Sequence, residues 1–105
     1  MMEGLPKSVR VGPHNIPFSP LQGKDAEECN GMYYDFELLI QPQYKSGSIA
    51  VDIVLHELIH CIFKIAGIVP KAGEEHIVSA LAPMLAQIIR DNPELIEWMQ
   101  QTVKK

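Results

Sequence analysis

The sequence has few cysteines and few basic residues, and each shortage excludes a class of protein. Cys29 and Cys61 are its two cysteines, too few for a disulfide framework, and we expect both to be reduced thiols. Nine Lys and Arg residues against 13 Asp and Glu residues give a formal net charge of -4. Because no basic surface is available to neutralise phosphates, we expect no nucleic-acid partner.

Long apolar segments are also missing. No run of residues has the length and apolar character that a bilayer-spanning helix needs, and the first residues lack the apolar region of a secretory signal. We therefore expect a cytoplasmic protein with no membrane partner. With 105 residues, 47% hydrophobic and 21% charged, the composition is that of one soluble globular domain spanning residues 1–105.

The two halves of the chain differ in their patterns. Residues 1–47 contain Pro, Gly and short β-prone runs, whereas the remainder shows helical periodicity. We expect an α+β fold in which a small antiparallel sheet packs on three helices. Strands are expected at residues 9–11, 16–18 and 33–40, around a turn at 12–15, and helices at 48–67, 74–91 and 93–103. Ser48 is the expected N-cap of the first of these helices, and Gly67 is expected to end it.

His56, Glu57 and His60 form an HExxH pattern within that first helix. On an ideal helix, His60 lies about 40° and Glu57 about 100° from His56, so the three side chains share one wedge. Apolar residues occupy most of the remaining circumference, which predicts a helix that is buried nearly all round and polar only at this wedge.

Two imidazoles one helical turn apart suit a single tetrahedral zinc ion, with the intervening carboxylate held beside the metal rather than on it. Zinc lowers the pKa of a coordinated water towards neutrality, and Glu57 is placed to take its proton as general base. The same carboxyl group can pass the proton to a leaving amine. The pattern therefore predicts zinc-dependent hydrolysis of peptide bonds, with His56 and His60 as ligands.

The third ligand is expected at the start of the next helix, where Glu74, Glu75 and His76 follow one another. These side chains point about 100° apart, so we expect at most one of them to face the metal. Glu75 is the favoured ligand because it begins a face that includes small residues able to approach the HExxH helix closely. Ser79, one turn later, is expected to hold a ligand side chain by a hydrogen bond. His76 and Glu74 stay open as alternative ligands.

Three segments together resemble a known family: VLHELIHCI at residues 54–62, EEHIVSALAPML at 74–85 and RDNPEL at 90–95. They are similar to small phage and prophage zinc metallopeptidases, minimal relatives of the HExxH-plus-glutamate class that includes ImmA/IrrE-like proteins. The resemblance covers the C-terminal half closely and the N-terminal strands in outline. It implies a reduced zincin core that cleaves a peptide or protein in the cytoplasm of a bacterium or of a phage-infected host.

The resemblance also implies that an edge strand, expected at residues 33–40, pairs with the substrate peptide. Compared with larger members of the class, we expect no counterpart of the C-terminal domain that supplies their oxyanion-stabilising Tyr or His. A replacement electrophile would come from one of five residues: Tyr33, Tyr34, Tyr44, His14 or Arg10.

Two other readings remain open. In one, zinc only stabilises a small non-catalytic binding or regulatory module. In the other, the chain is a metal-free interaction protein whose last helix presents Trp98, Met99 and Val103 to a partner or to a second copy of the chain. Against this second reading, we expect core packing of Trp98 against the preceding helix.

Overall fold

The N-terminal half forms a four-stranded sheet in a computed structural model that describes residues 4–43, 46–70 and 73–104. The strand order is β1-β2-β4-β3, with antiparallel β1/β2 and β3/β4 pairs and a parallel β2/β4 pair. The α+β class is therefore confirmed, but the sheet is mixed rather than antiparallel throughout. The elements of this half are β1 (Ser8–Val11), β2 (His14–Pro20), α1 (Gly23–Glu28), β3 (Gly31–Tyr34) and β4 (Glu37–Ile40).

The single strand expected at residues 33–40 is wrong, because this segment contains a tight turn. Asp35 and Phe36 have φ angles of 49° and 62°, the left-handed backbone of a two-residue hairpin turn. This turn separates β3 from β4 and leaves β3 at the edge of the sheet. The short helix α1 was also not predicted.

Three longer helices follow: α2 (Gly47–Ala66), α3 (Glu74–Asp91) and α4 (Pro93–Thr102). The predicted end of α2 is confirmed, since Gly67 adopts a left-handed φ of 71°. The predicted cap is wrong by two residues, because the Ser46 hydroxyl accepts the hydrogen bond from the backbone N–H of Ile49, at 3.3 Å. None of the helices in the described residues combines the length and apolar character needed to cross a bilayer.

Helix α2 lies between the sheet and α3, and its two apolar faces build two clusters of buried residues. The face towards the sheet contributes Ala50, Ile53 and Cys61. The face towards α3 contributes Ile59, which packs with Val78 and Ala82. The sheet side of the first cluster consists of Ile16, Phe18, Leu38 and Ile40.

Burial is less complete than the sequence predicts. Ile49, Val51 and Ile62 on α2 are each just over 40% exposed, so this helix is not buried all round. Trp98 is 61% exposed, and the expectation that it packs into the core is wrong. Helix α4 contacts α3 but no other described element, so one side of the helix is covered at most, and none of its residues is buried.

Candidate metal centre

His56 and His60 project from α2 between its sheet-facing and α3-facing sides, and both meet Glu75 of α3. His56 Nε2 lies 2.8 Å from Glu75 Oε1, and His60 Nε2 lies 2.7 Å from Glu75 Oε2. One ligand atom from each of the three residues falls within 4.8 Å of the other two. The fold therefore brings together the three side chains that the sequence singles out as metal ligands.

Glu74 reaches the same histidine from the other side, with its Oε2 atom 2.5 Å from His60 Nδ1. Val78 and Ala82 mark the line of contact between α3 and α2. On an ideal helix this line falls between the directions of Glu74 and Glu75, which are about 100° apart. Both carboxylates therefore reach His60, although Glu75 is the one of the two that belongs to the three-residue donor group.

The other residues proposed at the start of α3 are placed differently. Ser79 donates a hydrogen bond from Oγ to Glu75 Oε1 at 3.2 Å, so it supports the carboxylate that joins the histidines. His76 is exposed and does not belong to the donor group found among the described residues.

The charges of these side chains depend on one another. Burial alone would lower the pKa of His60, but hydrogen bonds to Glu74 and Glu75 raise it overall. Burial acts in the opposite direction on Glu75, whose pKa is nevertheless lowered because His56 and His60 lie beside it. His60 donates to both carboxylates only when both ring nitrogens carry a hydrogen, and with one hydrogen it donates to one of them.

Glu57 lies on the sheet-facing side of α2 and is the buried charged residue of the described chain, with 7% of its surface exposed. Gly31 at the start of β3 provides the space: a Cβ atom there would lie 2.7 Å from Glu57 Cγ. Burial raises the pKa of the Glu57 carboxyl group, although His56, His60 and a hydrogen bond from the Tyr33 backbone lower it in part. A raised pKa makes this carboxylate a stronger proton acceptor.

Two clefts of about 310 and 350 Å³ open beside these groups, and Gly31, His56, Glu57 and Glu75 line both of them. Glu57 thus borders the same solvent-accessible space as the histidines without belonging to the three-residue donor group. A small molecule or a peptide carbonyl in the 350 Å³ cleft, which His60 also lines, would have both imidazoles and this carboxylate within reach.

The residues considered for oxyanion stabilisation lie in different parts of the fold. Tyr33 lines the 350 Å³ cleft, and burial and the nearby Cys61 raise the pKa of its phenol. Tyr34 is 69% exposed, and Tyr44 lies outside the described residues. On the β1/β2 hairpin, the Arg10 side chain donates to the Gly12 carbonyl and His14 stacks near Phe36. Among the described candidates, Tyr33 and Tyr34 line cavities that His60 also lines.

The donor set fits zinc, because two imidazole nitrogens and one carboxylate oxygen are the protein ligands of many open catalytic zinc sites. Two features of the site had no clear signal in the sequence: the space that Gly31 provides and the approach of Glu74 to Nδ1 of His60.

Comparison with protein-family models, with curated proteins and with solved structures finds no match to this chain. The similarity to phage metallopeptidases therefore stays a prediction from the sequence segments alone.

Proposed function

We propose that this protein is a zinc-dependent peptidase that binds the metal through His56, His60 and Glu75 and uses Glu57 as general base. The observation that carries the proposal is the convergence of the three donor groups, with both histidine Nε2 atoms within 2.8 Å of one carboxylate. Zinc would supply a Lewis acid that activates water and polarises a carbonyl group.

The roles of the side chains follow from their positions. Glu57 is buried beside the histidines but outside the donor group, so its carboxylate is free to accept a proton from the attacking water. It then delivers that proton to the nitrogen of the leaving amine. Ser79 holds Glu75 through a hydrogen bond, which limits the motion of that ligand.

The edge strand supports a peptide or protein as the substrate. β3 has β4 on one side and no strand of the described chain on the other, and its first residue, Gly31, touches Glu57. An extended peptide pairing with this free edge would run past the general base. A cytoplasmic location, in a bacterium or a phage-infected host, belongs to the same proposal.

The test compares hydrolysis by the zinc-loaded wild type, Glu57→Gln and Glu97→Gln on a complex peptide mixture analysed by mass spectrometry. Glu97 is an exposed glutamate on α4 and serves as the matched control. We expect cleavage by the wild type and the control, and a rate lower by about 10²- to 10⁴-fold in Glu57→Gln with zinc still bound. Cleavage by Glu57→Gln at the wild-type rate would refute the role of Glu57.

A second candidate function is a non-catalytic module that zinc holds together. It is favoured by the exposed apolar residues of α4, among them Trp98 at 61% and Val103 at 83% exposure, which suit contact with another molecule. In this case zinc-loaded wild type cleaves no peptide, Glu57→Gln behaves like wild type, and zinc removal lowers the melting temperature sharply.

A further inference from the structure

His60 lies between two carboxylates that contact different ring nitrogens. Glu75 Oε2 is 2.7 Å from Nε2, on the side where His56 also points its Nε2 atom. Glu74 Oε2 is 2.5 Å from Nδ1, on the opposite side of the ring. The two neighbouring glutamates are therefore not equivalent, since only Glu75 contacts both histidines.

The chemistry of imidazole assigns different roles to the two sides. A metal takes the lone pair of one ring nitrogen, and the proton on the other nitrogen then requires an acceptor if the ring is to stay fixed. Nε2 is the nitrogen of His60 that faces His56 and Glu75, which leaves Nδ1–H to donate to Glu74. A charged acceptor makes a hydrogen bond roughly twice as strong as a neutral one.

We infer that Glu74 is a positioning residue that holds the Nδ1–H of His60 and so directs its Nε2 lone pair at the metal. This inference rests on the proposed metal site but not on catalysis. The burial of Glu74 agrees with the role, because its side chain is 38% exposed whereas that of Glu75 is 67% exposed. Glu74 is thus an orienting acceptor rather than the third ligand.

The experiment measures zinc affinity by competition with a chromophoric chelator, for wild type, Glu74→Gln, Glu74→Ala, Glu75→Gln and Glu94→Gln. Glu94 is the matched control, since it is a glutamate in the first turn of α4 with the same relation to its helix dipole. We expect about 10- to 100-fold weaker binding in Glu74→Ala with one zinc per chain retained. Glu74→Gln should fall between Glu74→Ala and wild type, because an amide oxygen still accepts the hydrogen bond. Glu94→Gln should bind like wild type.

A second readout separates orientation from a general loss of structure. In ¹⁵N-histidine-labelled, zinc-loaded protein, we expect His60 to keep its proton on Nδ1. Its Nδ1–H resonance should shift in Glu74→Gln, whereas the resonances of His56 stay in place.

Two outcomes would overturn the inference while leaving the metal site intact. If Glu74→Ala binds zinc as tightly as wild type, Glu74 does not orient His60 and only contributes a negative charge at the N-terminus of α3. If instead Glu74→Ala abolishes zinc binding and Glu75→Gln does not, Glu74 is the ligand. Failure of the wild type to bind zinc would overturn the metal site and this inference together. Zinc binding without peptide cleavage would count only against catalysis.

Discussion

We predict that only a residue without a Cβ atom, such as Gly31, leaves enough room for the Glu57 side chain. A methyl group at position 31 would lie 2.7 Å from Glu57 Cγ and 3.0 Å from its Oε2 atom. Carbon atoms pack at about 3.5–4.0 Å, so Glu57 or strand β3 must move by roughly 1 Å. Because Glu57 is 7% exposed, its side chain can shift only towards the two clefts that it lines. We expect Gly31→Ala to lower the free energy of unfolding by about 1–3 kcal/mol.

A double-mutant cycle isolates this contact. The three atoms closest to the added Cβ all belong to the Glu57 side chain beyond its own Cβ, and Glu57→Ala removes all of them. Gly31→Ala should therefore cost little in the Glu57→Ala background, giving a coupling energy of about 1–3 kcal/mol. The assay is urea unfolding of the metal-free protein, followed by far-ultraviolet circular dichroism.

Gly47→Ala is the matched control. Gly47 is the first residue of α2, and a Cβ atom there would have no neighbour within 4 Å. We expect this substitution to change the free energy of unfolding by no more than about 1 kcal/mol, in the stabilising direction. If Gly31→Ala costs the same with and without the Glu57 side chain, the close packing between β3 and Glu57 is refuted.

Two further predictions concern the helix cap and the thiols. Ser46→Ala should lower the free energy of unfolding by about 1 kcal/mol because it removes the cap on α2, whereas Ser48→Ala should change it by less than about 0.5 kcal/mol; equal losses in the same urea assay would contradict this assignment. Cys61 is fully buried and its burial raises the pKa of the thiol, so iodoacetamide should modify the partly exposed Cys29 first in the native protein. Intact-mass spectrometry tests this order, and simultaneous modification of both thiols without denaturant would contradict it.

Local patterns predicted the helices better than the sheet. The periodicity of α2 and the glycine after it fixed the helix and its end, because both depend on neighbouring residues. The cap was misplaced since Ser46 and Ser48 are both good capping residues, and only the backbone decides between them. The β3/β4 turn was missed because its two central residues are Asp35 and Phe36, which adopt positive φ angles. Turns of this kind usually have the sequence Asn-Gly, and that signal is absent from this segment. The parallel β2/β4 pair joins distant segments, which no local pattern reveals.

Helical phase likewise predicted part of the site. It placed His56 and His60 on one side of α2 and favoured Glu75 on α3, and the structure brings these three together. Phase alone did not locate the line of contact between α2 and α3, which runs through Val78 and Ala82. For that reason it did not predict that Glu74 would also reach His60.

Zinc binding by single-histidine variants tests the central claim most directly. The chain has four histidines, so each can be replaced by alanine and the purified protein analysed by elemental mass spectrometry after dialysis against zinc-containing and then zinc-free buffer. We predict about one zinc per chain in wild type, His14→Ala and His76→Ala, and none in His56→Ala and His60→Ala. Wild type without zinc, or His56→Ala and His60→Ala that both retain it, would contradict the proposed metal centre.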